Sequence, residues 1–388
     1  MWLVSKIPLQ SEILNPAKAA FADFELTDIV FSKLRSDKPN ADTNIVIVNI
    51  GKLDRAGIAA QITTLNKFKP KIIGIDAAFR RPKDPEGDSA LAKAFSEVDN
   101  LVLVSGFGSH LPDKQTKQFD TLETSHAMFN QHAVTGFANI IIAENDVYKP
   151  VRSFSPKEIV YNRTEFAFPV KMAQIYNPEV TERFLKRNNE VEFINYKGNI
   201  TNGAFYALDV EDLFDPDIDL SFVSGKIVLM GFMGESFSSR TLEDKLYTPL
   251  NEIYIGKAHP DMYGVVVHAN SISMILREEY VDVAPGLVEI SVAVILCFLN
   301  VVLFSYLMKI SGDWYDSLTI LIQLIETCLI MFIVGFLFDV FTVKINLGVA
   351  LAAVLLSSNG LELYQNIVLK IYQKRKTLRI IKLKKQAT

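Results

Sequence analysis

Three long apolar runs near the C-terminal end, 287–308, 318–338 and 345–369, constrain this chain more than any other feature. Each reaches about 20 residues or more, which is what an α-helix needs to cross a hydrocarbon core of roughly 30 Å. The chain therefore reads as a membrane protein with its soluble mass ahead of the spans. Bulk composition hides this, because 49% hydrophobic and 22% charged residues with a net charge of -4 describe an ordinary globular chain.

Setting the apolar block aside leaves roughly 285 residues in front, enough for a substantial core without disulfides or metals. Both cysteines, Cys297 and Cys328, fall inside the apolar runs, so cysteine usage does not identify the compartment. Orientation is read from the flanking basic residues. The tail 370–388 holds Lys370, Lys374, Arg375, Lys376, Arg379, Lys382, Lys384 and Lys385 and no acidic residue, which places it in the cytoplasm. Three crossings then put the soluble domain outside the cytoplasm. The tail predicts contact with anionic membrane lipid rather than nucleic acid. It is too short to hold a folded enzymatic module. The N-terminal lead-in, 1–30, opens on Met1-Trp2-Leu3-Val4 followed by Lys6, too brief for a span or a signal peptide, and is read as the remnant of a first membrane span. Within it, Asn15 and Pro16 predict the start of an amphipathic helix over 15–31.

The soluble part, 31–284, shows a βαβ rhythm. Asn44-Ile-Val-Ile-Val-Asn49-Ile50, Lys71-Ile-Ile-Gly-Ile-Asp76 and Leu101-Val-Leu-Val-Ser105 are short continuous runs of the kind found in buried parallel strands. Helical spacing links them over 53–68, and a helix capped by Asp88 is expected to run to about Val98. Further strands are expected over 133–142, at 191–196 as a partly exposed edge, and at Gly225-Lys-Ile-Val-Leu-Met-Gly231. Segment 148–161 reads as a loop or hairpin, 168–176 as a helix, and 262–276 as a strand or turn passing into a helix. The fold class is α/β: a parallel or mixed extracytoplasmic sheet covered by helices on both faces, followed by three transmembrane helices over 285–369.

Lys71-Ile-Ile-Gly-Ile-Asp76-Ala-Ala-Phe79, Asp88-Ser-Ala-Leu91-Ala92, Asn195-Tyr196-Lys-Gly, Gly225-Lys226-Ile-Val-Leu-Met-Gly231, Asp244 with Thr248-Pro249, and Gly264-Val265-Val-Val-His268-Ala269-Asn270 follow one another in order. Together they resemble the successive signatures of the CHASE2 domain, an extracytoplasmic sensory domain of bacterial receptors, over roughly 31–280. The resemblance implies a sensor. Members of the family commonly continue into a kinase or cyclase, whereas this sequence stops after the basic tail. Output is therefore expected through another membrane protein or signalling subunit, or through a homo-oligomer.

Ligands of open parallel sheets bind outside the carboxyl ends of the strands, where Asn49, Asp76, Ser105 and the Gly231–Gly234 loop should gather. Asp76 either binds a ligand or caps a turn, and Phe79 is either an apolar wall or a core residue. Asp88 is weighed as a cap or a ligand. Asp244, Thr248, His268 and Asn270 approach one another if the final strand and helix fold as the resemblance implies. His268, following three valines, is expected to leave a strand end as either a ligand-contacting or a structural imidazole. No metal, cofactor or catalytic pattern is recognisable, and no enzymatic activity is expected. Within the spans, Asn300, Glu326 and Glu362 are expected at one level, about 10–12 Å from the cytoplasmic end at about 1.5 Å per residue, as an intramembrane polar layer.

Overall fold

The computed structural model describes residues 26–34, 39–108, 112–113, 116–139, 150–251, 259–346, 348–369 and 371. The N-terminal strip 1–25, which holds most of the expected 15–31 helix, the end of the expected 133–142 strand and nearly all of the basic tail lie outside these residues. The chain divides into two units, Met1–Val281 and Asp282–Thr388.

The first unit is a mixed α/β domain built on seven strands: β1 (Asp42–Asn49), β2 (Ile72–Asp76), β3 (Leu101–Phe107), β4 (Leu122–Glu123), β5 (Val134–Phe137), β6 (Phe205–Leu208) and β7 (Ile227–Gly231). Their order across the sheet is β6-β1-β7-β2-β3, with β5 beside the body of β3 and β4 beside its last two residues. All pairings are parallel except that of β3 with β4. The apolar runs become central strands because both of their faces are covered. Residues Val46, Val48, Ile73, Ile75, Val228 and Met230 face one side and join a core with Ile62, Leu65 and Phe95 of α1 (Arg55–Asn66) and α2 (Pro85–Ser96).

The opposite face carries α3 (Phe168–Tyr176), followed by α4 (Pro178–Lys186), and then α5 (Gly264–Arg277). Strand glycines let these helices approach closely. A Cβ on Gly74 would stand 2.6 Å from Met172 Cε, one on Gly136 2.6 Å from Phe168 Cα, and one on Gly231 2.7 Å from Val265 Cβ.

Several local expectations change. The helix expected to be capped by Asp88 begins earlier: Asp84 is its N-cap, accepting the Gly87 N–H at 2.7 Å, and Pro85 takes the first helical position, where no N–H is needed. Segment 191–196 contributes only Glu192–Phe193, paired with Ser153–Phe154 away from the main sheet. The sheet edge is instead β6, whose four residues carry too little periodicity to announce a strand. The 148–161 region supplies half of a hairpin, Lys157–Val160 against Arg163–Phe166. His268 leaves no strand end: the strand preceding it is only Met262–Tyr263, and Gly264 already starts α5, so the three valines and His268 form its first turns. β-branched residues are tolerated there because tertiary packing overrides their modest helix penalty.

In the second unit, α6 (Gly286–Ile310) and α7 (Tyr315–Phe341) lie in the two helical stretches that are long and apolar enough to cross a membrane, Gly286–Ile310 and Gly312–Phe341. The third apolar run forms α8 (Gly348–Leu363), about 24 Å long at about 1.5 Å per residue, continued by a π-helical turn over Tyr364–Leu369. A third crossing is thus not defined by α8 alone. Helices α6 and α8 run side by side in the same direction, since Ala293 packs with Ala350 and Ala353 at one end and Phe304 with Leu361 towards the other. The small side chains of Ala293, Ala350 and Ala353 allow that close approach.

Candidate functional site

At the carboxyl end of β1, Asn49 uses every hydrogen-bonding capacity of its amide. Its Oδ1 accepts the N–H groups of Gly51 and Met233, each at 2.9 Å, and its Nδ2 donates to Asp209 Oδ1 at 2.8 Å and the Gly234 carbonyl at 3.1 Å. Three loops are tied together by one buried side chain. Asn270 does similar work: Oδ1 accepts Lys197 N–H at 2.8 Å and Gly198 N–H at 3.2 Å, while Nδ2 donates to the carbonyls of Gly198 and Val266, each at 2.9 Å.

On the α1–α2 face, Phe79 packs against Phe95 and Phe129. The Arg55 guanidinium lies 5.0 Å from the Phe129 ring centroid and forms a buried ion pair with Asp88, which also accepts the Lys83 N–H at 2.9 Å. Burial pushes the Asp88 carboxyl upward, but Arg55 and the Lys83 N–H outweigh it and hold the group below its ordinary range. Ser105 is buried in β3, its carbonyl accepting the Ala138 N–H at 3.0 Å.

The sequence-selected residues that do converge are Asp76, Asp244 and His268, around the first turn of α5. His268 Nε2 stands 3.9 Å from Asp76 Oδ2, and its ring meets Phe168 edge-on at 5.2 Å. Burial lowers the imidazole pKa and the Asp76 carboxylate opposes that shift. The carbonyl of Asp244 accepts the Gly264 N–H at 3.1 Å; partial desolvation of its carboxyl, with Asp76 and Glu243 nearby, raises its pKa. The void beside His268 is only about 10 Å³, room for about one water molecule.

The roomier concavity lies at the free edge of β6. A groove of about 450 Å³ runs between that strand, the turn at Asn199–Thr201, the loop at Phe237–Ser239 and the hairpin of Lys245–Leu246 with Met262–Tyr263. Its apolar walls include Phe205, Tyr206, Phe237 and Tyr263, of which Tyr206 is 45% and Phe237 39% exposed. The Lys245 ammonium lies 4.8 Å from the Tyr263 ring centroid, and Lys226 lies 5.7 Å from that of Tyr206. Asp261 closes the inner side. Its Oδ1 accepts Thr248 N–H at 2.9 Å and its Oδ2 accepts Thr248 Oγ1–H at 2.5 Å, while burial pushes its pKa up to about 6 against these bonds. Thr248, chosen from the sequence, thus serves the groove by orienting Asp261. None of the groove's aromatic residues stands out in the sequence, because they are scattered from Phe205 to Tyr263 and only the edge position of β6 assembles them.

In the second unit Asn300 Nδ2 donates to Glu326 Oε2 at 2.8 Å, joining α6 to α7. Gln323, one turn from Glu326 and not selected from the sequence, donates to the Val354 carbonyl at 2.9 Å and to Ser358 Oγ at 3.1 Å. Glu362 lies within electrostatic range of Tyr315, at the opening of α7 and about 16 Å along that helix from Glu326 at about 1.5 Å per residue. The expected level of three groups is therefore drawn from Asn300, Glu326, Gln323 and Ser358, with Glu362 displaced towards the end of the helices. Among the described residues no group of three or more His, Cys, Asp or Glu side chains is placed to hold a metal ion.

The model of the CHASE2 domain family matches residues 11–304, from ahead of the sheet domain into the first apolar helix. No curated protein and no solved structure matches the chain.

Proposed function

The chain belongs to the family of CHASE2 domains, which are extracytoplasmic sensory domains, and from that premise we propose that its sheet domain detects a small molecule or envelope component and passes its state to a separate membrane partner. In this reading the protein sits in the bacterial inner membrane with three crossings, its sensory domain in the periplasm or outside, and its basic 370–388 segment in the cytoplasm on anionic lipid.

The observation that carries the reading is the continuity between groove and membrane segment. Lys245 and Tyr263 of the groove belong to one hairpin; Tyr263 is followed at once by α5, and segment 278–285 links the end of α5 at Arg277 to the start of α6 at Gly286. A ligand that shifts the hairpin shifts the first turn of α5, where Asp76, Asp244 and His268 meet. The half-buried Glu326 in α7 offers a polar contact for a partner helix, since carboxyl groups at that depth favour polar partners.

A second reading, a structural subunit that holds other envelope proteins without a ligand, is favoured by the nearly filled strand ends beside His268. Mild-detergent purification after cross-linking from α6 and α7 separates the two. Recovery of a kinase or cyclase supports sensing; recovery of a large envelope assembly without any signalling enzyme overturns it in favour of the structural role.

A further inference from the structure

Granting the sensory reading, the groove at the β6 edge also has a recognisable ligand chemistry. Its volume of about 450 Å³ falls inside the roughly 300–1,000 Å³ of small-molecule sites. Tyr206 and Phe237 leave large aromatic surfaces in water, and covering them with a flat apolar body is favourable.

The charges decide the rest. Aromatic faces attract cations, yet the chain's own ammonium groups already stand over the two tyrosines, Lys245 at Tyr263 and Lys226 at Tyr206. An incoming cation would have to displace them and would be repelled by them. The carboxyl among the described lining residues, Asp261, is turned to other work: its oxygens accept the Thr248 N–H, the Thr248 hydroxyl and, at 3.3 Å, the Asn251 amide. Lys245 has no carboxylate partner among the described residues. The groove lining also includes the hydroxyl-bearing residues Ser239 and Thr201.

We infer that this groove binds a small organic anion, a carboxylate carried on a flat apolar or aromatic body, with Lys245 holding the charged group and Tyr206 and Phe237 covering the body. Recognition of this kind separates ligands by charge at constant shape. A neutral amide of the same outline keeps the apolar contact and loses the ion pair, whereas the corresponding amine meets the Lys245 ammonium in the groove wall.

The test uses the full chain in detergent micelles and three probes of one shape, phenylacetate, phenylacetamide and phenethylamine, followed by isothermal titration calorimetry. Phenylacetate is expected to bind at least tenfold more tightly than phenylacetamide, with no heat from phenethylamine. Lys245→Gln, at a partly exposed site, should bring carboxylate and amide within threefold of each other while an unchanged melting temperature confirms the fold, and Tyr206→Ser should weaken both together. Binding of the amine or amide as tight as that of the carboxylate overturns the assignment. So does a preference that survives Lys245→Gln, or absence of binding by all three probes. The sensory reading fails separately: carboxylate binding without any recoverable signalling partner retains the ligand class and removes the sensor. Amine binding together with a recovered partner does the reverse.

Discussion

Thr248 holds Asp261 by two hydrogen bonds at once, from its backbone N–H at 2.9 Å and its hydroxyl at 2.5 Å, yet the carboxyl still titrates near pH 6 because burial outweighs them. The folded-state pKa lies above the ordinary value of 3.8, so the folded protein binds the proton more tightly than the unfolded chain does. Stability from this group is fully present below about pH 4, falls as pH rises through about 6, and is flat above that. Two units correspond to about 3 kcal/mol at most. Asp261→Asn should remove this slope, so urea unfolding of wild type and variant between pH 4 and 7 should give curves that converge at low pH. Parallel curves would show that Asp261 does not titrate there.

His268 works in the opposite direction. Its folded pKa is lowered by burial, with Asp76 opposing, so folding favours the neutral ring. Its contribution is present above the unfolded value of about 6.5 and is lost as pH falls below it. His268→Gln should therefore lessen the acid loss of stability while leaving the melting temperature near pH 8 within a few degrees. The check is a series of thermal melts from pH 5 to 8 in the same detergent.

Asn49 is expected to tolerate no substitution. Removing its side chain leaves the buried N–H groups of Gly51 and Met233 without their acceptor, at about 1–3 kcal/mol each. Asn49→Asp restores that acceptor but sets a carboxylate where Nδ2 now donates to Asp209 at 2.8 Å. Both Asn49→Ala and Asn49→Asp should lower the urea midpoint strongly, and a near-native Asn49→Asp would show that the donor side of the amide contributes little.

Gly136 and Gly74 have the same nominal clearance but different neighbours. An added Cβ meets the Phe168 backbone at Gly136 and chiefly the mobile end of Met172 at Gly74. Overpacking typically costs about 1–3 kcal/mol. Gly136→Ala should sit at the upper end of that range and Gly74→Ala below it, and equal shifts of the midpoint would contradict the difference in packing.

In the second unit, the Asn300–Glu326 hydrogen bond should be worth about 1 kcal/mol, the size of an interhelical polar contact in a bilayer. Asn300→Leu and Glu326→Leu should each weaken helix association, and the double variant should cost less than their sum. Strict additivity in a steric-trapping measurement would show that the two side chains do not act together.

The alternation of buried runs in 44–50, 71–76, 101–105 and 225–231 determined that the soluble part would be a parallel α/β sheet, because such runs need cover on both faces. The unbroken apolar stretches likewise determined two helical stretches long and apolar enough to cross a membrane, Gly286–Ile310 and Gly312–Phe341, since length and hydropathy are properties of the chain itself. The order of the strands was a matter for the tertiary structure. β7, late in the chain, slots between β1 and β2, and the weakly patterned β6 becomes the edge. That arrangement places Asn49 beside Gly231 in register and sends Asp88 to Arg55 on the opposite face from His268. It also gathers Phe205, Phe237, Lys245 and Tyr263 into one groove. Local sequence reports which residues avoid water, whereas a binding groove depends on which distant segments pack together, and that is settled only when the sheet closes its core.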